Sequence, residues 1–471
     1  MNWDKLSKLK KEEICKLQNK KLEFFVKHYL SFSPFYQDYF KEKKISFSEI
    51  RTIHDLERIP PISKLDLLPT EKDPEKPKKF ILQPDKNSIK KFYPKDKLIN
   101  QAVRGRLQDS LEREFRPIHI HFTTGRSTAQ IPFLYSLYDL RNLGETGSRI
   151  FKVAGLKSED VLLNAFPYAP HLAFWQVQKG AEAANIRALH TGGGKIMGTE
   201  KIITALLKMK PTLLVIMPGY GYHLIRTAID QGVDLTFIKY IIFGGERVSP
   251  GLREKVKVWI PDVKILSTYG MTESKTAWVQ CNEESGYHLY PDLEFIELLD
   301  TSGNRVKEGE SGEVTYTALD WRGSVVVRYR TGDICNGISY DPCKYCGRTV
   351  PQLHYDIQRK SDFKELQLTK VKGELVNLNA FYPLMHGIKD VVEWQVEIRK
   401  RDDDQYEVDE LHINIACRHG EDCDRCSVVV ERKVTEQVGV APRVNVHTKE
   451  VLLDKLGMEK EIKEKRIVDK R

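Results

Sequence analysis

No part of this 471-residue chain holds the roughly 18 to 20 consecutive apolar residues that cross a bilayer as a helix, so a helical membrane span is excluded. The opening, MNWDKLSKLKKEE, lacks the apolar stretch of a secretory signal, and the expectation is a cytoplasmic protein with no membrane partner. No internal repeat of fixed period is visible, which leaves no sign of a repeat architecture. Cysteine is sparse, with eight residues, and in a cytoplasmic chain these point to metal sites or free thiols rather than disulfides.

What is present is ordinary for a large enzyme. With 41% hydrophobic and 30% charged residues, the chain can bury a sizeable core and should divide into two or more domains. The formal charge of +9 gathers in the first hundred residues, where 23 Lys plus Arg face 15 Asp plus Glu. A solvated lysine-rich surface accounts for that excess, and a nucleic-acid partner is not expected. Such a field would also draw anionic substrates.

Amphipathic spacing predicts helix through residues 4–30, and the Pro- and Lys-rich stretch 69–94 reads as loop. From about residue 118, short apolar strands alternate with helical stretches. VLLNAF precedes a segment through Val177, LLVIM precedes 221–230, and YIIFGG precedes 251–259. That alternation predicts parallel sheets covered by helices. Residues 295–330 carry antiparallel meander signals instead, and VVEWQVEI, ELHINIAC and a helix around Arg432 form a later unit.

Two strand-to-turn segments hold the most chemistry. Ile265–Ser274 (ILSTYGMTES) puts an aromatic ring, a hydroxyl and a carboxylate within five residues, the groups that stack a purine, hold a phosphate oxygen and bind magnesium. Tyr329-Arg330-Thr331-Gly332-Asp333 brings an apolar strand into a Gly-Asp turn, where a carboxylate can take a ribose diol. Their complementary chemistry implies one nucleotide. Thr123-Thr124-Gly125-Arg126-Ser127 follows a strand, and its backbone amides and hydroxyls suit an anion-binding concavity.

In order and spacing these segments resemble the adenylate-forming superfamily of acyl-CoA synthetases, luciferases and peptide-synthetase adenylation domains, and most closely its phenylacetate-CoA ligase branch. The resemblance covers nearly the whole chain. It runs from Ser33-Pro34-Phe35-Tyr36, 55–60 and Lys64-Leu65-Asp66-Leu67 through His121–Gly125, Gly244-Gly245-Glu246 and Cys343–Thr349 to Arg466-Ile467-Val468-Asp469. It implies an α/β protein whose large N-terminal domain, 1–358, has parallel helix-covered sheets and a smaller β-barrel-like subdomain. Residues 1–117 would be its helical and loop region and 281–349 would include a zinc knuckle. A small mobile α+β domain, 359–471, would follow, with its hinge at Asp362.

The implied activity is ATP-dependent, AMP-forming ligation of a carboxylic acid to CoA through an acyl-adenylate. The alternatives are adenylation with a carrier-protein, cysteine or amine acceptor, or a non-catalytic nucleotide- or nucleic-acid-binding zinc protein. Residue by residue, Tyr269 with Gly270 would pack on adenine, Thr272 would bind the α-phosphate and Glu273 the Mg2+ ion. Asp333 would hold the ribose hydroxyls, with Lys360 or the adjacent Arg359 beside the hinge. Lys463, with Lys465 as the other register, would be the adenylation lysine, and Gly373 would line the pantetheine tunnel. Gly244, Gly245 and Glu246 would lie where the base meets the acyl pocket. Phe166, Tyr168, His171, Trp175, Tyr220 and His223 would lie near the substrate carboxylate, where their rings suit an aryl or arylacetic acid.

The chain departs from the family in its phosphate loop. Thr128 and Ala129 stand where a second glycine and then a lysine are usual, so Arg126 is the candidate for the missing charge beside pyrophosphate. The branch also implies a structural zinc on Cys281, His288, Cys343 and Cys346, with Cys335 as a substitute ligand, and it permits a homodimer. The C-x-x-C spacing of 343–346 lets both thiolates reach one tetrahedral ion. A second set, Cys417, His419, Cys423 and Cys426, has a sufficient ligand count and no counterpart in the family.

Overall fold

The computed structural model describes residues 2–123, 131–359, 368–371, 374–400, 409–418, 423–458 and 464–470. They form two compact units, Met1–Leu162 with Ala169–Ala188 and Leu266–Gln358, and Leu163–Tyr168 with Leu189–Ile265 and Arg359–Arg471. Among the described residues no helix is long and apolar enough to cross a membrane.

The helix expected through 4–30 is broken into Trp3–Leu6 and Lys11–His28, and the second buries Ile14, Gln18, Leu22, Phe25 and Val26 along one face. Residues 69–94 are not all loop, because short helices form at Lys76–Phe80 and Lys86–Phe92. The second is nucleated by Asp85, whose carboxylate accepts the Ser88 amide at 2.6 Å, a cap that outweighs the breaker signal of the flanking prolines.

Two helices, Leu137–Ala154 and Leu172–Ala184, cross at Gly147 and Gly180. A Cβ on Gly147 would come within 2.6 Å of the Gly180 Cα, so the backbones touch there and any side chain would force them apart. Gln176 on the second helix donates to Thr276 Oγ1 at 3.1 Å, which ties the pair to strand Thr276–Val279. The meander predicted for 295–330 is present. Glu294–Leu299, Gly312–Ala318 and Tyr329–Cys335 pair antiparallel, Leu298 facing Val314 and Thr315 facing Arg330. A three-stranded antiparallel sheet places Ile338–Ser339 beside Gln352–Leu353, and that beside Tyr287–His288.

In the second unit, Leu213–Ile216 and Tyr240–Phe243 pair in parallel and are apolar almost throughout, as strands covered on both faces are. Helices Thr199–Met209, Pro218–Asp230 and Pro250–Trp259 cover them, and Ile202, Leu206, Leu224 and Val256 reach the core. The Pro218 helix starts three residues before the expected 221, because proline suits a first helical position whose amide has no partner. The unit also contains a four-stranded sheet in which Arg443–Val446 runs parallel to Asp409–Cys417, Val391–Lys400 lies antiparallel to that, and Ile467–Asp469 closes the edge in parallel. Helix Cys423–Val438 packs on it through Cys426, Val430 and Val434.

Candidate active site

Most of the described candidates for nucleotide chemistry stand in the first unit, on four segments that hydrogen bonds join. Strand Lys264–Met271 passes into a single 3-10 turn, Thr272–Ser274, as the STYGMTES pattern predicts. Tyr269 lies on that strand, with its ring centroid 5.7 Å from Trp278 and 6.0 Å from Tyr287. Its hydroxyl donates to Asp333 Oδ2 at 2.8 Å. The adenine and ribose candidates, 64 residues apart, are therefore in direct contact. Opposite Tyr269, Gly270 leaves room for Ala277, whose Cβ would lie 2.4 Å from any Cβ placed on the glycine.

Asp333 corrects one expectation. Gly332 and Asp333 do not form a turn after the strand, because Tyr329–Cys335 continues through them. Gly332 takes φ of 77° and its amide donates to Glu313 Oε1 at 3.1 Å, so the irregularity is absorbed within the sheet. The Asp333 amide donates to Thr331 Oγ1 at 3.1 Å, and the carboxylate is left to face the Tyr269 hydroxyl.

The phosphate-side candidates share one acceptor. The carbonyl of Phe122, last residue of strand Pro117–Phe122, accepts from Thr272 Oγ1 at 3.3 Å and pairs with His171 Nδ1 at 3.1 Å. Because a carbonyl only accepts, that bond requires a proton on His171 Nδ1. Thr123 and Ile131 pair with each other, the Thr123 amide donating to the Ile131 carbonyl at 3.0 Å and the Ile131 amide to Thr123 Oγ1 at 3.1 Å. Thr124, Gly125, Arg126 and Ser127 lie outside the described residues, as do Lys360, Asp362, Gly373, His419 and Lys463. Glu273 is half-buried and its Oε1 accepts from the Tyr329 hydroxyl at 2.9 Å. Trp175 donates its indole N–H to the Ala169 carbonyl at 3.2 Å.

Other pocket candidates belong to the second unit. Phe166 is buried and its amide donates to Asn164 Oδ1 at 3.1 Å, while Tyr168 is exposed. The Tyr220 ring lies over Gly194, where a Cβ would meet the hydroxyl at 2.6 Å. His223 is buried with its ring 6.1 Å from that of Tyr220. Gly244, Gly245 and Glu246 follow strand Tyr240–Phe243, and Gly245 takes φ of 83°.

Three supporting residues escaped the sequence reading. Tyr329 was quoted only as part of its motif, yet it orients Glu273. Lys275, left-handed at φ of 58°, sits under the Thr272–Ser274 turn and pairs with Asp139 Oδ2 at 2.9 Å, both side chains being fully buried. Glu294 accepts the Trp278 indole N–H at 2.6 Å and the Tyr290 amide at 2.8 Å, and so holds the ring against which Tyr269 rests. No local signal marks any of these pairs, since each joins distant segments.

Burial pushes the Glu294 carboxyl up to about 8, against the opposing pull of its Trp278 and Tyr290 donors. The native state thus holds an extra proton between the unfolded value of about 4.3 and that folded value, so this group's stabilisation is complete at low pH and is lost as pH rises through 8. Glu294→Gln keeps the acceptor and removes the charge. Thermal unfolding of this variant is expected to vary less with pH between about 4.3 and 8, with a higher midpoint than the parent at alkaline pH. Parallel pH profiles for the two proteins would reject that account.

A second constellation was foreseen intact. Cys281, His288, Cys343 and Cys346 bring one ligand atom each to within 4.8 Å of one another. The Cys281 and Cys343 sulfurs are 3.5 Å apart, and Cys346 Sγ is 3.6 Å from His288 Nε2. Metal–ligand bonds of about 2.3 Å to sulfur and 2.0 Å to nitrogen at tetrahedral angles require separations of roughly 3.8 and 3.5 Å, so the donor set fits a thiophilic divalent ion. Cys335 does not join it, because its thiol donates to the carbonyls of Gly337 at 3.3 Å and His354 at 3.6 Å.

Comparison with known proteins agrees with this geometry. The family described as AMP-binding enzyme matches residues 152–318. The chain is 24% identical over 407 residues to a phenylacetate-coenzyme A ligase of Thermus thermophilus, covering 85% of this chain and 81% of the relative. It is 23% identical over 333 residues to the Escherichia coli enzyme of the same name, covering 69% and 67%. In fold it is similar to a 2-hydroxyisobutyryl-CoA ligase in the postadenylation state in complex with R3-HIB-AMP, with TM-score 0.76, 19% identity, and coverage of 99% of this chain and 92% of that one. The likeness extends to the α/β fold as a whole. By these likenesses the chain resembles AMP-binding enzymes, and the curated relatives it matches at 22–24% identity are phenylacetate-coenzyme A ligases.

Proposed function

We propose that the chain is an ATP-dependent, AMP-forming carboxylate–CoA ligase acting on an aryl or arylacetic acid. The observation that carries the reading is the Tyr269–Asp333 contact at 2.8 Å beside the Thr272-Glu273 turn, which groups base-, ribose- and phosphate-binding side chains as one nucleotide requires. In the first step a substrate carboxylate oxygen attacks the α-phosphorus of ATP, the bond to the bridging oxygen breaks, and pyrophosphate leaves. In the second, the CoA thiolate attacks the acyl carbon and AMP departs.

Negative charge builds on phosphoryl oxygens in the first step, so fixed donors around them lower the barrier. Thr272 supplies a hydroxyl to the α-phosphate, turning from the Phe122 carbonyl. The Tyr269 ring, its hydroxyl tethered, offers a face to adenine, and the Asp333 carboxylate beside it is the acceptor for the ribose diol. A Mg2+ ion held by Glu273 would neutralise phosphate charge. Lys463 would supply the mobile cation, Arg126 the pyrophosphate-side charge, Lys360 or Arg359 a ribose contact, and Gly373 the wall of the pantetheine tunnel. These roles place catalysis in a domain of residues 1–358 and a mobile domain of 359–471 hinged at Asp362. We assign Phe166, Tyr168, His171, Trp175, Tyr220, His223 and Gly244–Glu246 to the acyl side, and the enzyme to the cytoplasm, where it can act as a homodimer.

Carboxylate-dependent ATP–pyrophosphate exchange over aryl, arylacetic, fatty and amino acids, repeated with CoA, tests this. Exchange with aromatic acids and CoA-dependent thioester are expected. Exchange without use of CoA would transfer the activity to another acceptor, and silence across the panel with ATP still bound would overturn the enzyme reading.

We further propose a structural zinc on Cys281, His288, Cys343 and Cys346. It would clamp the segment after the Tyr269–Trp278 hairpin to the 343–346 knuckle. Cys343→Ser with Cys346→Ser is expected to remove that zinc and lower the thermal midpoint; a parent chain purified without chelator that retains no zinc refutes it.

A further inference from the structure

Arg466 stands just before the closing strand, Ile467–Asp469, and takes no part in the nucleotide chemistry above. It is 5% exposed, and all three guanidinium nitrogens are engaged. Nη1 donates to Glu393 Oε2 at 2.6 Å and to the Trp394 carbonyl at 3.0 Å, while Nε and Nη2 donate to the two oxygens of Glu464 at 2.7 and 2.9 Å. Such a two-pronged bond fixes the direction of a carboxylate as well as its distance. The backbone of the same segment is held too. The Val396 amide donates to the Arg466 carbonyl at 2.8 Å, the Lys465 amide to the Leu456 carbonyl at 2.9 Å, and Gln395 Nε2 to the Lys465 carbonyl at 2.8 Å.

A buried arginine between two carboxylates can be no more than a satisfied ion-pair cluster. Glu464 has a further neighbour that such a cluster does not need. Its carboxylate lies on Gly219, in the first turn of helix Pro218–Asp230, where a Cβ would collide with both of its oxygens. Glycine is a poor helix former, and here its missing side chain makes the notch that Glu464 occupies. The carboxylate also stands at the positive end of that helix. Tyr220 and His223, both assigned to the acyl side, follow on the same helix. Three further bonds tie the C-terminal part of the chain to this side of the second unit: Ser249 Oγ with His386 Nδ1 at 2.7 Å, Lys255 Nζ to the Val391 carbonyl at 3.1 Å, and Lys449 Nζ to Asp230 Oδ2 at 2.8 Å.

We propose that Arg466 is a positioning residue for adenylation. Anchored by Glu393, it presents the Glu464 carboxylate to the Gly219 notch and so sets the register of residues 464–466 on the acyl-side helix. Glu464 follows Lys463 directly in the chain, so a slip of that register would be felt where the adenylation cation is needed. Arg466 and Glu464 make and break no covalent bond. The inference rests on the ligase reading and concerns its first half-reaction, in which charge builds on the phosphoryl oxygens.

Two assays of the full chain separate the half-reactions: carboxylate-dependent ATP–pyrophosphate exchange, and thioester formation from CoA and the synthetic adenylate of the acid that exchanges best. Arg466→Lys keeps the charge and loses the two-pronged bond, Glu464→Ala removes the carboxylate, and Gly219→Ala fills the notch. Each should lower exchange by about tenfold or more and leave thioester formation within about twofold of the parent. Gly219→Ala should keep a thermal midpoint near the parent's, since alanine is the better helix former. Its effect on exchange should disappear in the Glu464→Ala background, where the new methyl has nothing to displace. Normal exchange in Glu464→Ala and Gly219→Ala would overturn the proposal, as would additive losses in the double variant. So would a fall of both half-reactions in step with the thermal midpoint, the mark of a merely structural cluster. Should Arg466→Lys fold poorly, the Gly219 and Glu464 variants decide. A parent that exchanges with no acid of the panel removes the ligase reading and this inference with it, whereas the other adverse outcomes fall on the inference alone.

Discussion

Glu273→Gln is expected to lower carboxylate-dependent ATP–pyrophosphate exchange by about a thousandfold while leaving the fold intact. Tyr329 donates its hydroxyl to Glu273 Oε1 at 2.9 Å, and the glutamine amide oxygen can accept the same bond, so the side chain should keep its place. What is lost is the negative charge that would hold Mg2+ against the phosphates. Removing one fixed electrostatic partner from such a site costs about 3–4 kcal/mol of transition-state stabilisation, and about 1.4 kcal/mol corresponds to tenfold in rate. Tyr329→Phe should cost only about tenfold, because it frees the carboxylate to move without removing its charge. Raising Mg2+ should partly rescue Tyr329→Phe and not Glu273→Gln. Equal losses in the two variants, or near-normal exchange in Glu273→Gln, would remove Glu273 from the metal-binding role.

The second large effect concerns stability beneath the same turn. Asp139 is fully buried and its carboxylate takes Lys275 Nζ at 2.9 Å, the Arg322 amide at 2.7 Å and the Ser136 amide at 2.9 Å. Asp139→Ala strands all three donors, one of them a buried ammonium. Breaking a buried pair from one side costs about 3–5 kcal/mol, and the loss should fall on residues 272–276. Burial already draws the Lys275 ammonium down, against the pull of Asp139, so removing its partner should lower it further. Hydrogen exchange should accelerate in the turn, and adenylation should fall with it. Asp139→Leu combined with Lys275→Met should recover much of the stability, since paired removal leaves no buried charge. If single and double variants are equally destabilised, the ion pair does not anchor the turn.

Much of the site was legible because its residues come in short runs. STYGMTES contains the ring, hydroxyl and carboxylate in one strand-to-turn segment, and local sequence decides how such a segment is built. The Cys343-x-x-Cys346 knuckle was legible for the same reason, and its partners Cys281 and His288 were found through family resemblance. The contacts that hold these groups were not legible. Tyr269 with Asp333, Glu294 with Trp278 and Lys275 with Asp139 join residues between 16 and 136 positions apart. The Gly332-Asp333 pair misled because glycine and aspartate read as a turn in isolation, whereas the neighbouring strand and Glu313 keep the backbone in the sheet. The 69–94 stretch misled in the opposite direction, since a proline in the first helical turn at 76–80 and a cap at Asp85 start helices in a proline-rich background.

The sequence by itself determined the α/β alternation, the antiparallel meander, the adenylate-forming resemblance and the chemical identity of the candidate groups, because periodicity and short motifs are local properties of the chain. Only the tertiary structure decided which groups meet: that Thr272 and His171 share the Phe122 carbonyl, and that a buried glutamate fixes the tryptophan beside Tyr269. Those choices depend on burial, which sets the protonation of Glu294 and Lys275, and on long-range packing, neither of which leaves a periodic signal along the chain.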